Sequence, residues 1–295
     1  MSTNRELFIK TKKNDAKRRS VHLNDTEIYA LLIAANNFKD YTELVRNFDE
    51  EIKNFDSFER NLNRIYNGEP LQYVLEKASF IDLDLSIDHN VLIPRPETEG
   101  LALLVKEYIN RYHLICDTIG DICTGSGCIA FYLKEQFKNS TIYASDKYED
   151  PLNIAARNKD LLGLDIRLLK GSRMQPFENN NIHLDVLVSN PPYVSKMDEI
   201  DENVLRYEPL TAIYSLDGLH FYDSYFRHYK DVMNKKFFMA FEINYDQKEN
   251  LTKLIERYFD KDSVKYVFKK DIYGKDRYLL IAGGYNLENF EWKRS

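Results

Sequence analysis

A chain of 295 residues is long enough for about two domains of ordinary size, or for one large α/β unit. With 43% apolar residues and 30% charged residues of mixed sign, it can bury a core and is not a disordered polyelectrolyte. A net charge of −6 opposes an autonomous nucleic-acid binder, and no apolar run reaches the ~18 residues of a membrane span. The three cysteines, Cys116, Cys123 and Cys128, show no C-x-x-C spacing, which excludes a zinc knuckle or disulfide framework and suits a reducing cytoplasm. Six histidines without an H-x-x-x-H pattern give no metal site, so none is expected.

Residues 1–20 carry seven Lys/Arg against Glu6 and Asp15, a local charge of +5 that leaves −11 for the rest. No apolar h-region follows, so this is not a secretory signal, and it reads as a solvated, disordered basic leader. Residues 21–79 read as helical. Asn24-Asp25-Thr26 offers an N-cap before Ile28, Leu31, Leu32 and Ala35; Leu44, Phe48, Ile52, Phe55, Phe58, Leu62 and Ile65 continue the period; Gly68-Glu69-Pro70 ends it. Such a bundle is either a structural cap or a surface for a protein substrate, and the pattern does not choose between them. Between 80 and 93 the period becomes two, predicting a β-hairpin linker that turns around Asp88-His89-Asn90.

Residues 94–295 alternate strand and helix. Strand-like runs fall at 114–122, 141–146, 166–170, 184–189, 237–243, 264–268 and 277–282. Helical patterns separate all but the last two, which predicts a mostly parallel sheet finished by an antiparallel pair. Tyr222, Tyr225, Phe226 and Tyr229 have helical spacing and read as core.

The first of these strands runs into Cys123-Thr124-Gly125-Ser126-Gly127, which opens a helix. Glycines there permit a tight turn and close approach of a ligand to backbone N–H groups. Asp146 ends the next strand, where a carboxylate can accept both hydroxyls of a ribose. A nucleoside-containing cofactor is expected; this loop alone does not separate NAD from S-adenosylmethionine.

The strand 184–189 ends in Asn190-Pro191-Pro192-Tyr193. Two prolines stop the ladder and stiffen its exit, placing Asn190 and Tyr193 at the carboxyl edge of the sheet. This arrangement suits methylation of a planar NH2 group, whose lone pair is delocalised and weakly nucleophilic. The Asn190 side-chain oxygen and the Pro191 carbonyl can accept its two hydrogens while Tyr193 packs on its plane. Orientation and fixed dipoles then replace a general base. Sulfonium methyl donation is therefore preferred over hydride transfer.

With these residues the sequence resembles the HemK/PrmC family, the S-adenosylmethionine-dependent N5-glutamine methyltransferases of peptide chain release factors. The resemblance covers most of the chain. It rests on Glu69-Pro70-Leu71-Gln72-Tyr73, Leu92-Ile93-Pro94-Arg95-Pro96-Glu97-Thr98-Glu99, 121–127, Asp146, 189–193 and Arg206-Tyr207-Glu208-Pro209-Leu210-Thr211-Ala212. It implies an α/β class I (Rossmann-like) methyltransferase domain behind an N-terminal helical domain that docks the protein substrate. It further implies transfer to the glutamine of a Gly-Gly-Gln loop, leaving S-adenosylhomocysteine, by a cytoplasmic monomer with no direct nucleic-acid substrate. Asn190, Pro191, Pro192 and Tyr193 are the implied catalytic and substrate-binding residues. Cys123, Thr124, Gly125, Ser126, Gly127, Asp146, Arg173 and Asn190 are the implied cofactor site. A glutamine of a ribosomal protein or the N6 of adenine in nucleic acid are the alternative acceptors.

Three positions depart from that family. Cys123 and Glu76 stand where relatives often have glycine, and Lys170-Gly171-Ser172-Arg173-Met174 lacks the acid that usually meets the adenine, leaving Ser172 or Arg173 for that contact. The resemblance places Arg95 and Glu97 beside the cofactor, although Pro96, Glu97 and Glu99 also make ordinary helix-start chemistry. Glu242 matches an acidic position of relatives and reads equally as a solvated strand end.

Overall fold

The computed structural model describes residues 2–16 and 22–286, in two compact units, Met1–Lys77 and Ala78–Ser295. The sequence had placed the division near residue 79. The first unit is helical: α1 (Asn4–Asp15), α2 (Asp25–Asn36), α3 (Tyr41–Arg46), α4 (Phe55–Tyr66) and α5 (Leu71–Leu75). Asn24 caps α2 through a capping box with Glu27, as its position before the apolar run predicts.

Helix α1 corrects the expectation of a disordered leader. Thr3 and Glu6 form a second capping box, Leu7 enters the core, and Asn4 is buried. The Asn4 side chain donates to the carbonyls of Asn47 and Glu50 and accepts from Asn36, which fixes the helix to its neighbours. High charge concealed a T-x-x-E start and an apolar face that here consists of little more than Leu7 and Phe8. Residues 17–20 of the same leader lie outside the described residues. Helix α5 ends at Glu76 in the left-handed conformation, φ 53°. That is a backbone state glycine adopts freely, and nothing in the structure explains the glutamate that stands there.

In the second unit β1 (Lys77–Phe80) and β2 (Leu83–Ser86) pair as a two-stranded sheet. The hairpin turns at Ile81-Asp82, not at 88–90. Ala78, Phe80, Leu83 and Leu85 all point inward, leaving two residues to reverse the chain. Ile81 takes φ 53°, unusual for a β-branched residue, with its N–H held by Glu99 Oε1 at 2.8 Å. No sequence rule places isoleucine there.

Next come α6 (Pro96–Tyr112), β3 (Thr118–Ile122), α7 (Cys128–Gln136), β4 (Thr141–Asp146), α8 (Glu149–Leu162), β5 (Arg167–Lys170), α9 (Gln175–Asn179) and β6 (Leu184–Ser189). The chain continues through α10 (Glu202–Tyr207), α11 (His220–Val232), β7 (Met233–Glu242), α12 (Lys248–Tyr258), β8 (Val264–Lys270) and β9 (Asp276–Gly283). Among the described residues seven strands form one sheet, ordered β5-β4-β3-β6-β7-β9-β8. All neighbours are parallel except β9, which is antiparallel to both β7 and β8. The aromatic run of α11 packs as core: Tyr222, Tyr225 and Phe226 are fully buried, and Tyr229 stacks on Phe259.

Chain order reverses between β3, which leads outward to β4, and β6, its neighbour on the other side. Such a switch point opens a crevice at the carboxyl ends of the strands. In register, Ile122 of β3 lies opposite Ser189 of β6, and Ser189 opposite Phe241 of β7. Cys123, Asn190 and Glu242 therefore leave three adjacent strands at one level.

Candidate active site

At this crevice lies a cavity of about 380 Å³, within the size range of nucleoside-scale sites. Its walls include Cys123, Thr124, Gly125, Ser126, Asp146, Ser172, Arg173, Asn190 and Pro192. Eight of the expected site residues thus meet around one space. Gly127, Pro191 and Tyr193 do not line it.

The glycine loop is held from behind. Gly125 N–H donates to Asp146 Oδ2 at 3.1 Å, and Thr124 N–H donates to the Ser145 carbonyl at 3.0 Å. Asn158, a buried side chain on α8, donates to the Ser126 carbonyl while exchanging two hydrogen bonds with Ser86. Gly127 has φ 84°, and a Cβ there would sit 2.4 Å from the Phe131 ring. Glycine is therefore required twice, by conformation and by packing. Gly125, φ 54°, would meet nothing within 4 Å, because it faces the cavity. Cys123 adopts φ 62°, so the glycine expected there gives way to a strained residue whose thiol, pushed up to about 12 by burial, stays protonated.

Burial raises the Asp146 carboxyl, opposed by N–H bonds from Tyr148, Gly125 and Lys147. Each of its oxygens keeps a lone pair for a ligand hydroxyl. Arg173, at φ 56°, lines the cavity with its guanidinium 5.8 Å from the Phe221 ring centre and its Nε buried without a hydrogen-bond partner. The partly apolar pocket, the acid at the end of β4 and the open space over Gly125 all fit a nucleoside sulfonium.

Asn190 leaves β6 with its Nδ2 donating to Thr98 Oγ1 at 3.0 Å. Thr98 in turn donates to Glu242 Oε2 at 2.8 Å, and Tyr193 O–H donates to Glu242 Oε1 at 2.9 Å. Glu242 is buried and not a solvated strand end. Burial raises its carboxyl, against the pull of both hydroxyls and of Arg277. Burial, with Glu242 beside it, raises the Tyr193 hydroxyl well above its ordinary value and keeps it a donor. Tyr193 therefore braces the site with its hydroxyl. The segment after it is pinned as well, with Val194 N–H to the Ile213 carbonyl and Ser215 N–H to the Val194 carbonyl.

Arg95 does not line the cavity; it pairs with buried Glu208 at 2.5 Å, and Glu208 also accepts the Ile93 N–H. This joins the two segments 92–99 and 206–212, whose Pro94, Leu210, Thr211 and Ala212 do reach the cavity wall. Glu97 is half-buried and likewise outside the wall.

Residues 99–209, from the helix behind Thr98 to the segment past Tyr193, match the family model described as "Methyltransferase small domain". A release factor glutamine methyltransferase of Bacillus cereus is 35% identical over 81% of this chain and 86% of its own length. One from Flavobacterium psychrophilum is 34% identical over 86% of the chain and 90% of its own length. The chain belongs to the release factor glutamine methyltransferase family. A methyltransferase structure from Pyrococcus furiosus, 19% identical, covers 77% of this chain and 98% of its own with a TM-score of 0.50, in keeping with the class I fold. As a family member, the chain has its glycine loop, Asp146 and Asn190–Tyr193 inside the stretch that defines the methyltransferase domain, while Glu242 falls outside it. Thr98 and Glu242 were not assigned a role from sequence. They are 144 residues apart, and only the packing of the first turn of α6 on the end of β7 brings them together.

Proposed function

We propose that this chain transfers a methyl group from S-adenosylmethionine to the side-chain amide nitrogen of the glutamine in the Gly-Gly-Gln loop of peptide chain release factors. The observation that carries the reading is Asn190, tethered through Nδ2 and opening onto the same cavity as Gly125 and Asp146, in a member of this family. When bound, the cofactor supplies an electrophilic methyl on a sulfonium. Gly125 would let it approach the loop, Asp146 would accept the ribose hydroxyls, and Arg173 would hold the adenine end. Asn190 Oδ1 and the Pro191 carbonyl accept the two amide hydrogens and turn the nitrogen lone pair toward the methyl. A glutamine amide is a poor nucleophile, so holding it in a near-attack geometry is the main contribution, on the order of 7–11 kcal/mol at best. The two carbonyl dipoles would stabilise the positive charge that grows on nitrogen as the S–CH3 bond breaks and the thioether leaves, and the methylated nitrogen would then lose one of its two hydrogens to solvent as a proton.

The helical unit Met1–Lys77 is the part we assign to docking the protein substrate. Its exposed Ile9, Tyr41 and Val45 support that reading. Among the described residues no helix is long and apolar enough to cross a membrane. The test is incubation with methyl-labelled cofactor and release factor carrying Gln or Ala in the Gly-Gly-Gln loop. Label on the Gln form alone is expected; equal label on both, or none on either, would overturn the proposal, and label on a ribosomal protein or on nucleic acid would replace it.

A further inference from the structure

We infer that Thr98 and Glu242 are positioning residues that fix which end of the Asn190 amide faces the acceptor, an inference that rests on the role of Asn190 proposed above. The two ends of a carboxamide have nearly the same size but opposite hydrogen-bonding sense. A half-turn of the Asn190 amide would present NH2 to the substrate NH2, two donors facing each other, and no lone pair would be steered. Something must therefore select the orientation.

The hydrogen-bond chain does so by counting protons. Both carboxyl oxygens of Glu242 are used as acceptors. Its Oε1 takes the Tyr193 hydroxyl proton and its Oε2 takes the Thr98 hydroxyl proton. A threonine hydroxyl has one proton, so once it is given to Glu242 the oxygen can only accept. The Asn190 atom 3.0 Å away must then be the NH2 end, and Oδ1 is left for the ligand. The acceptor pair at the end of β7 is thus read out as polarity at the end of β6. Thr98 can relay it because α6 begins at Pro96 and its first turn carries the hydroxyl to both strand ends. Glu242 is fully enclosed, costly for a carboxylate unless its acceptors are used.

Full-length protein would be assayed with labelled cofactor and release factor for the wild type, Thr98→Val, Thr98→Ser and Glu242→Gln, with cofactor affinity measured by calorimetry alongside. Thr98→Val keeps shape and loses the relay. Cofactor affinity should stay within about threefold while kcat falls about 10- to 100-fold and the KM for the factor changes far less, as expected when only orientation is lost. Thr98→Ser should recover most of the activity. Glu242→Gln, whose NH2 can donate to Thr98, should behave like Thr98→Val. Unchanged kcat in Thr98→Val, an equal loss in Thr98→Ser, or a loss that merely tracks cofactor affinity would each overturn the inference while leaving the proposed reaction standing. An inactive wild type would overturn both.

Discussion

Asp121, the penultimate residue of β3, is fully buried beneath the glycine loop. Its Oδ2 accepts the Thr124 hydroxyl at 2.5 Å, while Oδ1 has no hydrogen-bond partner. Burial pushes its carboxyl from 3.8 up to about 7, against the pull of Thr124 and the Ala130 amide. A carboxyl raised in the folded state gives stability that is fully present below the unfolded pKa and lost as pH rises through the folded one. The window is therefore from 3.8 to about 7, and the full loss is about 4 kcal/mol at about 1.36 kcal/mol per pH unit. Between about pH 5 and about pH 8 the loss is about 2.5 kcal/mol, or roughly 5 °C in Tm for a unit of this size. Asp121→Asn removes this titration but keeps an acceptor for Thr124. Thermal melting of the cofactor-free protein across that range should show wild-type Tm falling relative to Asp121→Asn by roughly that amount. If both proteins follow parallel pH curves, the buried proton on Asp121 does not exist.

Gly127→Ala should cost about 2–4 kcal/mol, from the left-handed backbone and the Phe131 contact together, and Gly125→Ala only about 1. Cofactor affinity should reverse that order, dropping at least about tenfold for Gly125→Ala, whose new methyl enters the cavity; urea titrations and calorimetry that rank the two alike would refute this. Arg95→Ala strands buried Glu208 and should destabilise the protein by about 2–3 kcal/mol, read by urea denaturation; a change below about 0.5 would make the pair an ordinary surface contact. Leu7→Ala should cost about 2–3 kcal/mol if α1 belongs to the helical core, and close to nothing if the leader is solvated.

The parts legible in the sequence were those in which chemistry and local structure share one short segment. The glycine loop, Asp146 and Asn190–Tyr193 each follow a strand whose apolar run predicts it, and the cavity gathers most of them. Glu242 was ambiguous because a strand-end acid looks the same whether solvent or a threonine 144 residues away receives it. The role of Tyr193 shifted for the same reason, since the partner of its hydroxyl comes from another strand. Ile81 shows tertiary packing overriding turn preference: four inward side chains and the Glu99 carboxylate set the reversal. At Cys123 and Glu76 the positive φ angles give the physical meaning of two replaced glycines. Helix α1 was missed because charge counts describe its exposed face and say nothing of Asn4 and Leu7.

The role of Asn190 is tested most directly by one comparison. Wild type and Asn190→Ala would be incubated with the cofactor and a release factor, and the products mapped by tandem mass spectrometry. One methyl group on the side-chain amide of the Gly-Gly-Gln glutamine is expected for the wild type. Asn190→Ala should bind the cofactor within about threefold and transfer at least about 100-fold more slowly, as loss of an orienting acceptor implies. Equal turnover by Asn190→Ala, or a methyl group on any other atom, would contradict that role.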